Sequence, residues 1–191
     1  MKIKAVGALC AKVKQIVLLD DGGELWISDG TASYRLPDSL KAIGESAVTA
    51  IFDIPPEKAA DYYIRRKDMA ELWETEDTDP SGDAELSFDL DCRICYNGTD
   101  YLPMSTSDGK TYLIRTRYVK PLEDAEQIRF TLRHTNQGEG RPYIAAKDGM
   151  FLTAIIMPED SGKEKGTWIS GWTGEISTGL SRARSFEHED L

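Results

Sequence analysis

Five Asx-Gly pairs separate short apolar runs along this chain, and this punctuation limits the fold more than any other feature. The pairs are Asp21-Gly22, Asp29-Gly30, Asn97-Gly98, Asp108-Gly109 and Asp148-Gly149. Such pairs supply the positive φ angles that tight hairpin turns require. Since Val, Ile, Leu, Trp and Tyr are frequent in the runs between them, the spacing predicts antiparallel hairpins and a β-rich protein.

The runs on either side of these turns predict strands in both halves of the chain. Residues 15–19 and 24–28 form a hairpin in this prediction, and residues 31–36 add a third strand. Residues 127–134 alternate apolar and polar side chains, which is typical of a half-buried strand. The other predicted strands are residues 47–54, 86–95, 111–115, 143–146 and 151–157.

Two segments predict short helices. Residues 5–13 place apolar side chains at helical spacing between lysines. Pro55-Pro56-Glu57 is typical of a helix start, because proline fits the first turn and an acid complements the helix dipole. We expect this second helix to extend past Ile64, and a further short helix or turn near residues 118–123. The predicted fold class is therefore α+β, with β-rich antiparallel sheets and two or three short helices.

The composition is that of an acidic folded protein. The chain has 191 residues, of which 40% are hydrophobic and 29% charged, and its formal net charge is −10. These fractions argue against wholesale disorder. The acidic total repels nucleic acid on average, but it allows a local basic face because charges are screened beyond about 8–10 Å.

The organisation of the chain changes at two places. Residues 74–83 carry almost no apolar side chain and read as a solvated linker. After Pro158 the chain becomes polar, and Trp168 and Trp172 follow among glycines and serines. We therefore predict a first half at residues 1–78, a second half at 84–158 and a Trp-containing extension at 159–191.

No segment predicts membrane insertion or secretion. The apolar runs stay shorter than the roughly 18–20 residues that span a bilayer. Residues 5–10 follow two lysines, but they are too few for a signal core, and Leu9 is bulky where a small residue is expected. We therefore expect a cytoplasmic protein without a membrane partner, in which Cys10, Cys92 and Cys95 are reduced thiols.

Cys92-Arg93-Ile94-Cys95 is the motif in this sequence that points to metal or redox chemistry. A structural zinc site normally needs four ligands, and no second cysteine pair is present, while His134 and His188 are remote. A redox motif favours a helix start, whereas this one lies in a predicted strand. A structural role is the favoured interpretation, with metal binding and redox use as alternatives.

The other polar residues supply no catalytic pattern. Nucleophile and phosphate-binding motifs are absent from the sequence. Asp89 and Asp91 share one predicted strand face without further oxygen ligands, so we expect them to be solvated. His134 lies beside Arg133, which gives it no catalytic partner. We predict no catalytic residue, no metal ligand and no cofactor.

Basic residues cluster locally despite the acidic total. Such groups can contact phosphate oxygens without reading bases, or they can be exposed side chains that balance nearby acids. The clusters are Lys2, Lys4, Lys12 and Lys14, then Arg65, Arg66 and Lys67, then Arg115, Arg117 and Lys120, and the pair Arg129 and Arg133.

Two parts of the chain resemble DNA sliding clamps, the ring-shaped processivity factors of replicative polymerases. Residues 48–59 are similar to the strand, proline and helix that introduce the second helix of a bacterial clamp domain. Residues 127–132, 141–144 and 148–158 are similar to its final strands, which end on an apolar stretch with Met-Pro. The chain is much shorter than a bacterial clamp, so a closed ring would need several copies.

The resemblance implies a clamp-like, non-enzymatic protein that forms a homo-oligomer around duplex DNA. It also implies a pocket for a peptide of a polymerase or another protein, which would include Met157 and Pro158. The residues that the resemblance assigns to DNA contact are Lys12, Lys14, Arg65, Arg66, Arg117 and Lys120.

A second hypothesis is a phage-type structural or adaptor protein. In this case Trp168 and Trp172 of the C-terminal extension would bind a protein partner. The third hypothesis is a hydrolase or metal enzyme, and its metal-binding form would use the cysteine pair. The first two hypotheses share binding or assembly without catalysis, and we favour the clamp-like one.

Overall fold

The structure is a computed structural model that describes residues 1–71, 83–89, 91–135 and 140–159. Within them the fold is α+β, as predicted, with mainly antiparallel sheets and a few short helices. The α-helices are α1 (Ile3–Val13), α2 (Glu45–Ile51) and α3 (Pro56–Ala59). The strands are β1 (Gln15–Asp21), β2 (Glu24–Ser28), β3 (Ala32–Arg35), β4 (Tyr63–Asp68), β5 (Ala84–Glu85), β6 (Ser87–Phe88), β7 (Ile94–Tyr96), β8 (Thr99–Ser105), β9 (Thr111–Arg115), β10 (Ile128–His134), β11 (Pro142–Asp148) and β12 (Phe151–Ile156). Short 3-10 helices cover Asp38–Leu40, Met69–Glu71, Thr116–Tyr118 and Lys120–Leu122.

Strands from both halves of the chain form one large sheet. Its order in the described residues is β4-β1-β2-β3-β12-β11-β10-β5, and its pairs are antiparallel except for β1 with β4. The pairing of β3 with β12 joins the two halves. A smaller sheet contains β6, β8 and β7 in that order, with β9 paired to β8. The ranges 1–78 and 84–158 thus contribute strands to a common sheet.

The hairpins are confirmed where the sequence predicted them. The first three strands form the predicted meander, and β11 and β12 form the predicted last hairpin. The glycines of all five Asx-Gly pairs have φ between 55° and 90°, which is the left-handed region. Residues 86–95, predicted as one strand, instead include the short strand β6 and the beginning of a second one, β7.

The prediction of a strand at residues 47–54 is wrong, because this segment is helix α2 and the turn that follows it. In a helix, Val48, Ile51 and Phe52 lie on one side, since they are three and four residues apart. Val48 is fully buried, and Phe52 packs against the same core. Asp53 then adopts a left-handed conformation with φ of 52° and ends the helical segment.

The prediction of a long second helix is also wrong. Helix α3 begins at Pro56 as expected, but it ends at Ala59, and Tyr63–Asp68 is strand β4. This strand pairs in parallel with β1 over six residues, from Gln15 with Tyr63 to Asp20 with Asp68. Backbone pairing with the exposed edge of β1 therefore outweighs the helical spacing of the apolar residues.

The main core lies between one face of the large sheet and a layer made of α1, α2 and the smaller sheet. Leu9 of α1, Leu18 of β1 and Met104 of β8 all belong to this cluster. Phe88 meets Phe130 edge to face, with ring centroids 5.0 Å apart. A second buried cluster lies on the opposite face of the large sheet.

The side chain of Phe52, which directly follows α2, lies close to Gly7 of α1. A Cβ atom at this position would lie 2.6 Å from Cδ1 of Phe52. Helix propensity favours alanine over glycine by about 1 kcal/mol, but this contact leaves no space for the methyl group. The glycine that weakens the sequence-based helix prediction is therefore explained by packing.

We expect Gly7→Ala to lower the free energy of unfolding by about 1–3 kcal/mol, because it overpacks the contact between residue 7 and the Phe52 ring. In a Phe52→Ala background the same substitution should raise it by about 0.5–1 kcal/mol, since only helix propensity then acts. Urea denaturation of the four proteins in this cycle measures both effects. Equal stabilisation in the two backgrounds would contradict the contact.

Candidate functional site

The lysines at the end of α1 lie at a helix C-terminus. Lys12 is exposed in the last turn, and Lys14 adopts a left-handed φ of 54° just beyond the helix. The carbonyl oxygen of Lys14 accepts a hydrogen bond from the backbone N–H of Tyr63, and its Nζ lies 3.0 Å from Oδ2 of Asp61. The Lys14 ammonium is therefore already paired with a carboxylate.

The two arginines of β4 point to opposite faces of the sheet, because they are consecutive in a strand. Arg66 makes a bidentate pair with Asp20, at 2.7 and 2.6 Å, which lowers the pKa of the Asp20 carboxyl. The Arg65 guanidinium lies over the ring of Tyr63, 5.0 Å from its centroid. They do not form the helical basic row that the sequence suggested.

Arg117 and Lys120 belong to the 3-10 segments that follow β9. The Arg117 guanidinium lies over the Tyr118 ring at 4.8 Å and donates to its hydroxyl. Lys120 is exposed beside Pro121, whose carbonyl oxygen accepts a hydrogen bond from the N–H of Lys2 at the start of α1. Lys120 therefore lies at one end of this 11-residue helix and Lys14 at the other, about 16 Å apart along its axis.

The residues predicted for partner binding are divided between described and undescribed parts of the chain. Met157 is half-buried and packs against the second cluster of the large sheet. Its N–H donates to the carbonyl of Thr31, so it continues the β3–β12 pairing. Pro158 follows it and is half-buried. Trp168 and Trp172 lie outside the described residues.

A buried polar group occupies the turn between β2 and β3. Oδ1 of Asp29 accepts hydrogen bonds from the N–H groups of Thr31 and Ala32, each at 2.9 Å. Ser28 Oγ accepts from the N–H of Gly30 and donates to the Ala32 carbonyl. The Ser-Asp-Gly sequence carries the signal for this turn, because short polar side chains bond to backbone groups two or three residues ahead.

Cys10 of α1 lies close enough to this turn for the Asp29 carboxylate to affect its titration. Burial raises the pKa of the Cys10 thiol to about 12, and the Asp29 charge adds to the effect. Burial likewise raises the pKa of Tyr34, whose hydroxyl donates to the backbone carbonyl of Tyr118 at 2.8 Å. Because the thiolate is the nucleophile, Cys10 is poorly suited to covalent catalysis at neutral pH.

Cys95 and Asp89 interact with residues that are close to them in sequence. Cys95 is exposed on β7 and Cys92 is half-buried before it. The Asp100 carboxylate raises the pKa of Cys95 through a side-chain hydrogen bond. Oδ1 of Asp89 accepts the N–H of Asp91 at 2.9 Å. Among the described residues no group of three or more His, Cys, Asp or Glu side chains is arranged to hold a metal ion.

An ion-pair cluster that the sequence did not predict lies at the β10–β11 end of the large sheet. Asp83 receives two hydrogen bonds from Arg133, both at 2.7 Å, and Nζ of Lys147 lies 3.5 Å from Oδ2 of Asp83. The three side chains are 10–14% exposed. The alternation of apolar and polar residues in β10 predicts the face of the strand on which Arg133 lies. It does not predict that Arg133 pairs with Asp83, which is 50 residues away in the chain.

The tip of the β11–β12 hairpin exposes two large apolar side chains. Met150 is 90% exposed and Phe151 is 66% exposed, directly after Gly149. The Arg35 guanidinium lies 5.7 Å from the centroid of the Phe151 ring. Glu24 holds Arg35 in an ion pair at 2.9 Å. The sequence predicted Phe151 as part of an apolar strand. It did not predict that this first residue of β12 is exposed and lies outside the core.

Comparison of the chain with protein-family models, with curated proteins and with solved structures gave no match. In the described part of the chain, the helices are too short or too polar to cross a bilayer.

We expect Asp83→Ala to lower the free energy of unfolding by about 3–5 kcal/mol, because it removes the bidentate carboxylate from an arginine side chain that is only 10% exposed. Asp20→Ala is the matched control, since it breaks a bidentate pair with Arg66 whose side chains are 40% and 46% exposed. That pair should contribute about 0–1 kcal/mol. Urea denaturation measures both, and equal effects would show that burial does not set the energy of these pairs.

Proposed function

We propose that this protein acts by binding another protein through the tip of the β11–β12 hairpin, and that it is not an enzyme. The observation that carries the proposal is the exposure of two adjacent large apolar side chains, Met150 and Phe151. Aromatic residues and methionine are enriched at protein interfaces. Exposure of each of these side chains to water is unfavourable, and a partner surface that covers them removes this cost.

The tip is held on a rigid support. Asp148 pairs with Phe151 across the turn, and β12 is itself hydrogen-bonded to β3 over Ala154, Ile155 and Ile156. A preformed support lowers the entropy cost of binding, because the partner does not have to order the loop. Arg35 beside the Phe151 ring adds a side-chain type that is common in binding hot spots.

Duplex DNA is the less favoured partner in this proposal. Non-specific DNA binding needs several cations that reach phosphates together. Here Lys14 and Arg66 are paired with carboxylates, and Arg65 and Arg66 lie on opposite sheet faces. Clamp-like DNA association stays a prediction that rests on the sequence resemblance.

A photo-crosslinking amino acid at Met150 tests the protein-binding proposal. We expect a covalent adduct, either with a second copy in purified protein or with another protein in an extract of the source cells. The control carries the same group at Lys58, which is exposed on α3. The adduct should disappear in a Phe151→Ser background, because that change removes the ring from the contact. No adduct, or equal labelling from both positions, would overturn the proposal.

Duplex binding measured by fluorescence anisotropy tests the competing prediction. We expect no saturable binding of a linear duplex at about 50 mM salt, where electrostatic binding is strong. The wild type is compared with Lys12→Ala/Lys120→Ala, which removes two exposed cations from opposite ends of α1. A salt-dependent affinity that weakens in this variant would favour DNA, and so would retention on circular but not linear duplex.

A further inference from the structure

Exposed apolar side chains lie at both ends of the large sheet. Among the described residues, five large apolar side chains are exposed to solvent. Met150 and Phe151 form one pair, which we call the tip patch. Val13 and Tyr63, which are 43% and 48% exposed, form a second pair, which we call the base patch. The fifth is Met1, the first residue of the chain.

The strand register places the two patches at opposite ends of the sheet. Strand β1 begins beside Tyr63 of β4 and ends at Asp21, which pairs with Glu24. Arg35 makes an ion pair with Glu24 and lies 5.7 Å from the centroid of the Phe151 ring, so the tip patch lies at the Asp21 end. Since β1 has seven residues, the two ends are about 20 Å apart.

The base patch is held in place by the end of α1. Val13 lies three residues after the buried Cys10, so it continues the buried side of this helix past the core. The carbonyl oxygen of Lys14 accepts the N–H of Tyr63, which joins the end of α1 to the start of β4. The Arg65 guanidinium lies over the Tyr63 ring at 5.0 Å and restricts its movement. The base patch is therefore preformed, as the tip patch is.

The charges beside the two patches have opposite signs. At the tip end, burial and the nearby carboxylates of Asp68 and Glu24 raise the pKa of Asp21. Asp21 and Asp68 form no ion pair with a basic side chain in the described part of the chain. At the base end, Lys12 and Arg65 are exposed and have no carboxylate partner within the same residues. One end therefore offers unpaired acids and the other unpaired cations.

We propose that the partner is a second copy of this chain, and that the tip patch of one copy docks on the base patch of the next. This contact rests on the proposed function and names the partner that covers the tip. Each patch offers an aromatic ring and an aliphatic side chain, so the contact removes four exposed apolar side chains from water. It also brings opposite charges together. Because each added copy presents a new free end, the assembly can grow beyond a dimer.

A symmetric contact between two tip patches is the competing arrangement. It would bring Asp21, Glu24 and Asp68 of one copy towards the same three carboxylates of another, and like charges across an interface are unfavourable. The net charge of −10 adds to this repulsion. Two base patches would likewise bring Lys12 and Arg65 towards their copies. The head-to-tail contact avoids both repulsions.

Two variants that each lack one patch test the arrangement by sedimentation velocity. Met150→Ser/Phe151→Ser keeps the base patch, and Val13→Ser/Tyr63→Ser keeps the tip patch. The wild type should associate as its concentration rises, and the dissociation constant of each variant alone should increase by about tenfold or more. A mixture of the two variants should form a 1:1 dimer that does not grow further, because one intact tip meets one intact base.

Three results of this experiment would overturn the proposal. The first is a wild type that stays monomeric throughout the concentration series. The second is association of the Val13→Ser/Tyr63→Ser variant with itself, which indicates a tip-to-tip contact. The third is a mixture that stays monomeric although far-ultraviolet circular dichroism shows both variants to be folded.

Charge reversal gives a second readout that leaves the apolar side chains in place. Lys12→Glu/Arg65→Glu should weaken self-association by about tenfold, because two new carboxylates would face the acidic end of the next copy. Lys110→Glu/Lys120→Glu is the matched control, since both lysines are exposed, lie outside the two patches and give the same change in net charge. Equal weakening by the control would indicate general repulsion and contradict the specific contact.

The photo-crosslinker at Met150 separates failure of this inference from failure of the proposed function. In a purified mixture of isotopically light and heavy protein, we expect adducts between copies that map to peptides with residue 13 or residue 63. Adducts with other proteins of the cell extract, but none between copies, would overturn self-association and leave protein binding by the tip intact. The absence of any adduct would overturn both.

Discussion

The pairing of β3 with β12 is the contact on which the rest of this structure depends. Tyr34, Ser33 and Ala32 pair with Ala154, Ile155 and Ile156, so strands from the two ends of the described chain lie side by side. Without this pairing, β1–β3 and β10–β12 would be separate antiparallel units, each with an exposed edge. With it, both main apolar clusters become continuous across the sheet. Closing so long a loop is costly, and burial on two faces is what offsets that cost.

Local chemistry predicted the hairpins well and the connections between them poorly. Asn97-Gly98 and Asp148-Gly149 indicate turns because glycine adopts positive φ readily, a property of the residue itself. The helix prediction for residues 63–68 was wrong because this segment forms a strand by pairing with β1, which lies far from it in sequence. The strand prediction for residues 47–54 was wrong for a related reason. A short apolar run such as the one around Val48 and Phe52 fits either a strand or a helix until its packing partner is known.

The candidate sites show the same limit for charges. The sequence located Arg66 and Lys14 in basic clusters, yet their carboxylate partners Asp20 and Asp61 are about 46 residues away in the chain. In an acidic protein most basic side chains pair with a carboxylate. A cluster of basic residues in the sequence therefore does not indicate which of them can bind a phosphate. Phe151 shows the converse, because only the fold reveals that the apolar run of β12 begins outside the core.

The pairing of β12 on both of its sides connects the fold with the proposed function. Ala154, Ile155 and Ile156 pair with β3 on one side and with β11 on the other, so the hairpin that carries Met150 and Phe151 is fixed to the large sheet. Neither of these two side chains belongs to a buried cluster, and both are exposed. The apolar run that the sequence assigned to one strand therefore divides into residues that build the sheet and residues that the proposed partner would cover.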